Sequence, residues 1–194
     1  MKNKLNGRDF ITIGIFNAIS IVIYMAVAFA LATTVVGGFI ASGVAFMVAA
    51  ISYLLMGVKI KKRGVFTISG TLLGLIALSG GHIPHAIFAI LGGIICDFIV
   101  GNYENKGRII AGYGIFALSD FLGTVVPILL FGTASFVERA TMWKMSETQI
   151  NEALTYFKVS WVVGFGVITV ILACIGGLIA TKILKRHFEK AGII

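Results

Sequence analysis

Ser79-Gly-Gly-His-Ile-Pro-His-Ala-Ile-Phe-Ala-Ile-Leu-Gly-Gly-Ile-Ile-Cys-Asp97 decides how the chain is read. Gly80-Gly81 closes one hydrophobic run and Pro84 opens the next. Proline suits the first turn of a helix, where its missing N–H is no loss. The stretch therefore predicts a tight turn between two apolar helices, with His82 and His85 at its mouth. It holds two of the three histidines and one of the two prolines. Its last residue, Asp97, is one of two carboxylates set deep in apolar sequence, the other being Asp120.

Around this turn the chain is too apolar for a soluble domain. Of 194 residues, 58% are hydrophobic and 12% charged, and the mean hydropathy is +1.01. A soluble protein of this size could not bury so much apolar surface. Uncharged runs of about 20 residues can cross about 30 Å of hydrocarbon as helices, whereas a barrel calls for short alternating strands. The expected fold is an all-α integral membrane protein, one domain over residues 1–194. It is a six-transmembrane-helix bundle with spans near 10–32, 35–58, 65–80, 84–100, 109–131 and 159–181. The basic N-terminus and the long run after it read as a first permanent span, not a cleaved signal peptide. Cys96 and Cys174 each lie inside an apolar run and suggest no disulfide.

Thirteen of the sixteen Lys and Arg residues fall at the termini and in the loops after spans two and four. Arg139, Lys144 and Lys158 lie on the other side. Loops rich in Lys and Arg stay in the cytoplasm, so both termini are expected there, in a multi-pass protein of a cell membrane. The formal charge of +8 is thus a topology signal, with anionic lipid headgroups as its partners. It does not point to nucleic acid. The long outer segment 132–158 carries two candidate capping boxes, Ser135-Phe-Val-Glu138 and Ser146-Glu-Thr-Gln149, and predicts two short amphipathic helices on the outer face. They serve either as an interfacial anchor or as a lid over a pocket.

Asp120 is the most informative single residue. It lies about 16 Å into span five at 1.5 Å per residue, and no Lys or Arg occupies that depth in any span. An ionised carboxylate there needs a cation, a ring of donors or water; otherwise desolvation keeps it protonated. It serves either as a structural hydrogen bond to a neighbouring Ser, Thr or Tyr or in a ligand or proton role. Asp97, near the cytoplasmic edge, reads as the partner of a loop Lys or Arg. His82 and His85 are too few for a metal site. No P-loop and no H-E-x-x-H motif is present, so no catalytic residue, metal or other cofactor is assigned and no enzyme is expected. The polar groups available on the outer half, His82, His85, Asp120, Trp143 and Trp161, are the candidate substrate-binding residues. Small residues recur at spacing four, as at Gly70 and Gly74 or Ala173 and Gly177, and allow close helix packing. Ala26, Ala28, Ala30 and Ala32 in span one offer such a face to a partner protein.

Four segments carry a family resemblance: Lys4-Leu-Asn-Gly-Arg-Asp-Phe-Ile-Thr-Ile-Gly-Ile-Phe16, Gly81-His-Ile-Pro84, Gly112-Tyr-Gly-Ile-Phe-Ala-Leu118 with Pro127 beyond it, and Lys185-Arg-His-Phe-Glu-Lys-Ala-Gly192. They resemble the Trep-Strep family of bacterial membrane proteins. That family in turn resembles the substrate-binding S components of energy-coupling factor (ECF) transporters. The resemblance implies capture of a small-molecule micronutrient from outside. It also implies docking, through small residues on the first helix, to a T component driven by two ATPase subunits. Rival readings are a small membrane enzyme acting on lipid or isoprenoid substrates, a secondary transporter, and a structural or regulatory membrane protein.

Overall fold

A computed structural model describes residues 4–142 and 144–185. All its regular structure is helical: α1 Gly7–Leu31, α2 Val35–Ile60, α3 Val65–Ser79, α4 Ile83–Val100, α5 Lys106–Phe131, α6 Ala134–Met142, α7 Glu147–Tyr156 and α8 Val159–Ile183. Each apolar run read from the sequence falls on one of the six longer helices. Five of them, α1, α2, α4, α5 and α8, are long and apolar enough to cross a membrane, and α3 is a shorter apolar helix.

Local chemistry sets the helix ends. Asn6 and Asp9 form a reciprocal capping box at the start of α1, and Asp9 also takes Lys62 Nζ at 2.6 Å. Thr34 accepts the Gly37 N–H to start α2, and Asn105 accepts the Arg108 N–H to start α5. Such caps are worth about 1 kcal/mol each. Pro84 sits in the first turn of α4, and Gly81, at φ +77°, reverses the chain before it. The expected box at Ser146 is present, with Ser146 Oγ taking the Gln149 N–H and Gln149 Oε1 taking the Ser146 N–H. The box expected at Ser135 does not form. Val137 N–H already bonds the Thr133 carbonyl, so the helix runs through Ser135 and the serine cannot be its cap.

The long helices follow one another around the bundle as α3, α4, α5, α8, α2 and α1, and α1 touches α3 only lightly. The α3–α4 seam is tight. A Cβ at Gly70 or Gly93 would collide with backbone of the facing helix, so the Gly70 and Gly74 spacing is spent inside the bundle. Outward faces are apolar, with Phe10, Ile15 and Phe29 on α1 and Ile87, Leu91 and Phe98 on α4 exposed. Two hydrophobic clusters fill the interior. One, around Phe46, Tyr53, Phe66, Tyr113 and Phe116, lies toward the end that carries Arg8, Lys62 and Arg108. The other joins Val35, Phe39, Phe121, Val125, Val162 and Phe165 to side chains of α6 and α7. On α5 the two clusters meet between Ala117 and Phe121, which places Asp120 at the seam.

Candidate functional site

Asp120 is only 1% exposed. Its carboxylate accepts from three helices: Tyr24 Oη of α1 at 2.8 Å and Ser42 Oγ of α2 at 2.7 Å, both on Oδ2, and His85 Nε2 of α4 at 2.9 Å on Oδ1. This is a ring of donors, the condition that a carboxylate at this depth must meet. The sequence reading had placed Asp120 and His85 around one pocket; the structure puts them in direct contact. Room for the imidazole comes from Gly123, one turn after Asp120. A Cβ there would stand 3.0 Å from both His85 Cα and its ring Cδ2.

An ionised Asp120 offers only acceptors and would require the proton of this contact to sit on His85 Nε2. His85 Nδ1 is left without a hydrogen-bond partner among the described residues. Tyr24, Ser42 and His85 also form the floor of a cavity of about 640 Å³. The walls come from Ala28 and Ala32 of α1, Val35, Gly38 and Phe39 of α2, Gly81 and His82 at the α3–α4 turn, and α5 from Phe121 to Phe131. Ser135, Phe136 and Ala140 of α6, with Met145, Ala153 and Phe157, cover it. The α6–α7 segment is thus built into the cavity wall. Pro127 on α5 has no N–H, so the Gly123 carbonyl loses the donor an unbroken helix supplies; both residues line the cavity.

The remaining candidates separate. His82 lines the cavity at its rim. Trp161 does not line it: the indole is half exposed on α8 and packs edge-on against Tyr156, with Phe165 stacked beyond. Trp143 lies outside the described residues. Ala28 and Ala32 face the cavity, whereas Ala26 and Ala30 are exposed on the outside of α1. Residues not singled out from the sequence include Tyr24, Ser42 and the wall phenylalanines. Tyr24 had a signal, being a hydroxyl deep in span one, in the same run as the buried polar residues Asn17 and Ser20.

The second buried carboxylate is a different object. Asp97 Oδ2 accepts from the Thr67 N–H and Thr67 Oγ1, both at 2.7 Å, and Oδ1 accepts from Tyr103 Oη at 2.6 Å and the Phe66 N–H at 3.3 Å. Helix α3 begins at Gly64, which has no side chain to cap it. Asp97 of α4 therefore caps α3 from across the tight seam. The expected pairing with a loop Lys or Arg is not found among the described residues; free N–H groups at a helix start supply the positive end that a loop cation was expected to give. Burial, together with the adjacent Asp97, pushes the Tyr103 phenol well above its ordinary pKa, so it stays a donor.

Apolar outer helix faces around a polar-floored cavity define an integral membrane protein, with a form consistent with a transporter-like role. The family model for Trep_Strep, described as hypothetical bacterial integral membrane protein, matches residues 7–190, and the chain belongs to that family. No curated protein and no solved structure matches it.

Proposed function

We propose that the protein is the solute-capturing membrane subunit of an importer of the energy-coupling factor type. It would take a small micronutrient from outside and dock on a T component with two ATPase subunits. The single observation that carries this reading is the cavity over Tyr24, Ser42 and His85, walled by helices and covered by α6 and α7. Its volume of about 640 Å³ falls in the range of small-molecule sites. In this reading α3 completes a six-span bundle and both termini are cytoplasmic. The cavity-lining residues of the α1–α2 and α3–α4 turns lie at the end that this reading places outside, the end poor in Lys and Arg.

The test uses span one. Ala26 and Ala30 are exposed and small, so a partner helix can approach there closely. Ala26→Trp or Ala30→Trp should abolish concentrative uptake in cells and leave solute binding intact. Ala28→Trp should instead fill the cavity and abolish binding. Uptake that survives Ala26→Trp and Ala30→Trp together would sink the docking face. A second reading, a proton-coupled secondary transporter, draws on the buried His85–Asp120 pair. Concentrative uptake driven by a proton gradient with the protein alone in liposomes would establish it and refute the importer subunit.

A further inference from the structure

A second, smaller crevice of about 90 Å³ lies between α1 and α3. Its flanks are apolar: Ile21 and Met25 of α1, and Leu73, Ile76 and Ala77 of α3. Met25 and Ile76 are also exposed, so the mouth of the crevice lies on the outer surface of the bundle. Tyr24 and His85 line both this crevice and the large cavity, whereas Asp120 lines only the crevice. The contacts of Tyr24 and His85 with Asp120 thus form a partition, with the large cavity on one side and the crevice on the other. A carboxylate offers about four acceptor positions. Among the described residues, Asp120 Oδ2 uses two, for Tyr24 and Ser42, and Oδ1 uses one, for His85. Acceptor capacity is left on Asp120 whether the proton of the His85 contact sits on the imidazole or on the carboxyl. Two fillings compete for the space. A lipid chain would suit the flanks but would press hydrocarbon onto a polar floor and leave that acceptor unpaired, which is unfavourable. Water suits both: the volume holds several molecules at about 30 Å³ each, and Asp120, His85 and Tyr24 supply the polar partners that a held water needs.

We propose that the α1–α3 crevice is a hydration site, holding water against Asp120 from the side away from the large cavity. The light packing of α1 on α3 leaves the room for it. The floor of the large cavity then meets solvent from behind. The His85–Asp120 pair exchanges its proton with crevice water even while the large cavity is filled. The inference stands apart from the importer reading, because it concerns a different space and is tested with no solute and no partner.

The test is cysteine labelling of the full chain in lipid nanodiscs with 2-aminoethyl methanethiosulfonate, a small water-soluble reagent. The cysteine thiolate attacks the sulfenyl sulfur of the reagent, a mixed disulfide forms and methanesulfinate leaves. The thiolate is the reacting form and is suppressed in apolar surroundings, so a crevice filled by hydrocarbon reacts slowly. Ala77→Cys should react at least tenfold faster than Leu78→Cys, which is exposed on the outer face of α3 and one residue nearer its end. Leu73→Cys, further from the α3–α4 turn, should likewise outpace Leu75→Cys on the outer face. This second pair decides should Ala77→Cys fail to fold. Labelled sites are assigned by peptide mass spectrometry, with Cys96 and Cys174 of the unmodified chain as background. Equal or slower reaction at the crevice positions overturns the hydration site. In an experimental map of the same sample, water density against Asp120 is expected, and acyl-chain density there overturns the proposal.

Discussion

Asp97 and Asp120 are both buried carboxylates on membrane helices, and both accept from several donors. They differ in where the donors come from. Three of the four bonds to Asp97 come from the first turn of α3. The donors to Asp120 are side chains from three separate helices, and each of those side chains also faces the cavity. A carboxylate that ties backbone of adjacent helices holds a seam. One that fixes three side chains at a cavity floor sets the shape and polarity of a site. Of two buried carboxylates, one caps a neighbouring helix and the other, in the importer reading, orders the floor of the solute cavity.

The largest effect should therefore come from the seam. Asp97→Ala strands the Phe66 and Thr67 N–H groups and the Tyr103 hydroxyl, and each buried donor left unpaired costs about 1–3 kcal/mol. A loss of about 3 kcal/mol or more is expected, seen as a large fall in the thermal unfolding midpoint. If the midpoint barely moves, the cap across the seam is wrong. Next comes Gly123→Ala. The new methyl presses on His85 Cα and ring, so the imidazole shifts from Asp120. Solute binding should weaken severalfold, with a stability loss near 1 kcal/mol, in the range of overpacked sites. Binding unchanged in Gly123→Ala would separate His85 from recognition. The smallest effect is expected at Ser20, on the same face of α1 as Tyr24 but away from Asp120. Its buried Oγ has no partner among the described residues, so Ser20→Ala should leave binding unchanged and shift stability by no more than about 0.5 kcal/mol, toward the stable side. A clear loss of stability would show that this hydroxyl holds a water.

Much of the fold was legible because apolar runs, glycine pairs and caps are local signals. The Gly80-Gly81 and Pro84 punctuation placed the turn, and the Ser146 box placed α7. Ser135 was misread because the helix starts two residues earlier, at Thr133, whose carbonyl takes the Val137 N–H. Of the site, Asp120 and the histidines could be found by depth and polarity. The contacts to Tyr24 and Ser42 could not, since they join residues 96 and 78 positions apart and depend on which faces of α1 and α2 turn inward. Asp97 was assigned a cation because sequence shows side chains and hides backbone. Its partners are N–H groups at the start of another helix, a site that no side-chain pattern announces. Trp161 followed the usual preference of tryptophan for membrane interfaces and lies at the bundle surface, not in the cavity.

The division of labour between the two carboxylates is tested most directly by what the protein carries out of the membrane. Wild type, Asp97→Asn and Asp120→Asn would be purified from bacterial membranes and the small molecules they release identified by mass spectrometry. Wild type and the folded fraction of Asp97→Asn should release the same compound in equal amount per protein. Asp120→Asn should release at least tenfold less, a change of about 1.4 kcal/mol in binding, while unfolding at a higher temperature than Asp97→Asn. Equal release from the two variants, or loss of the compound from Asp97→Asn alone, would contradict the assignment of Asp120 to the site and Asp97 to the seam.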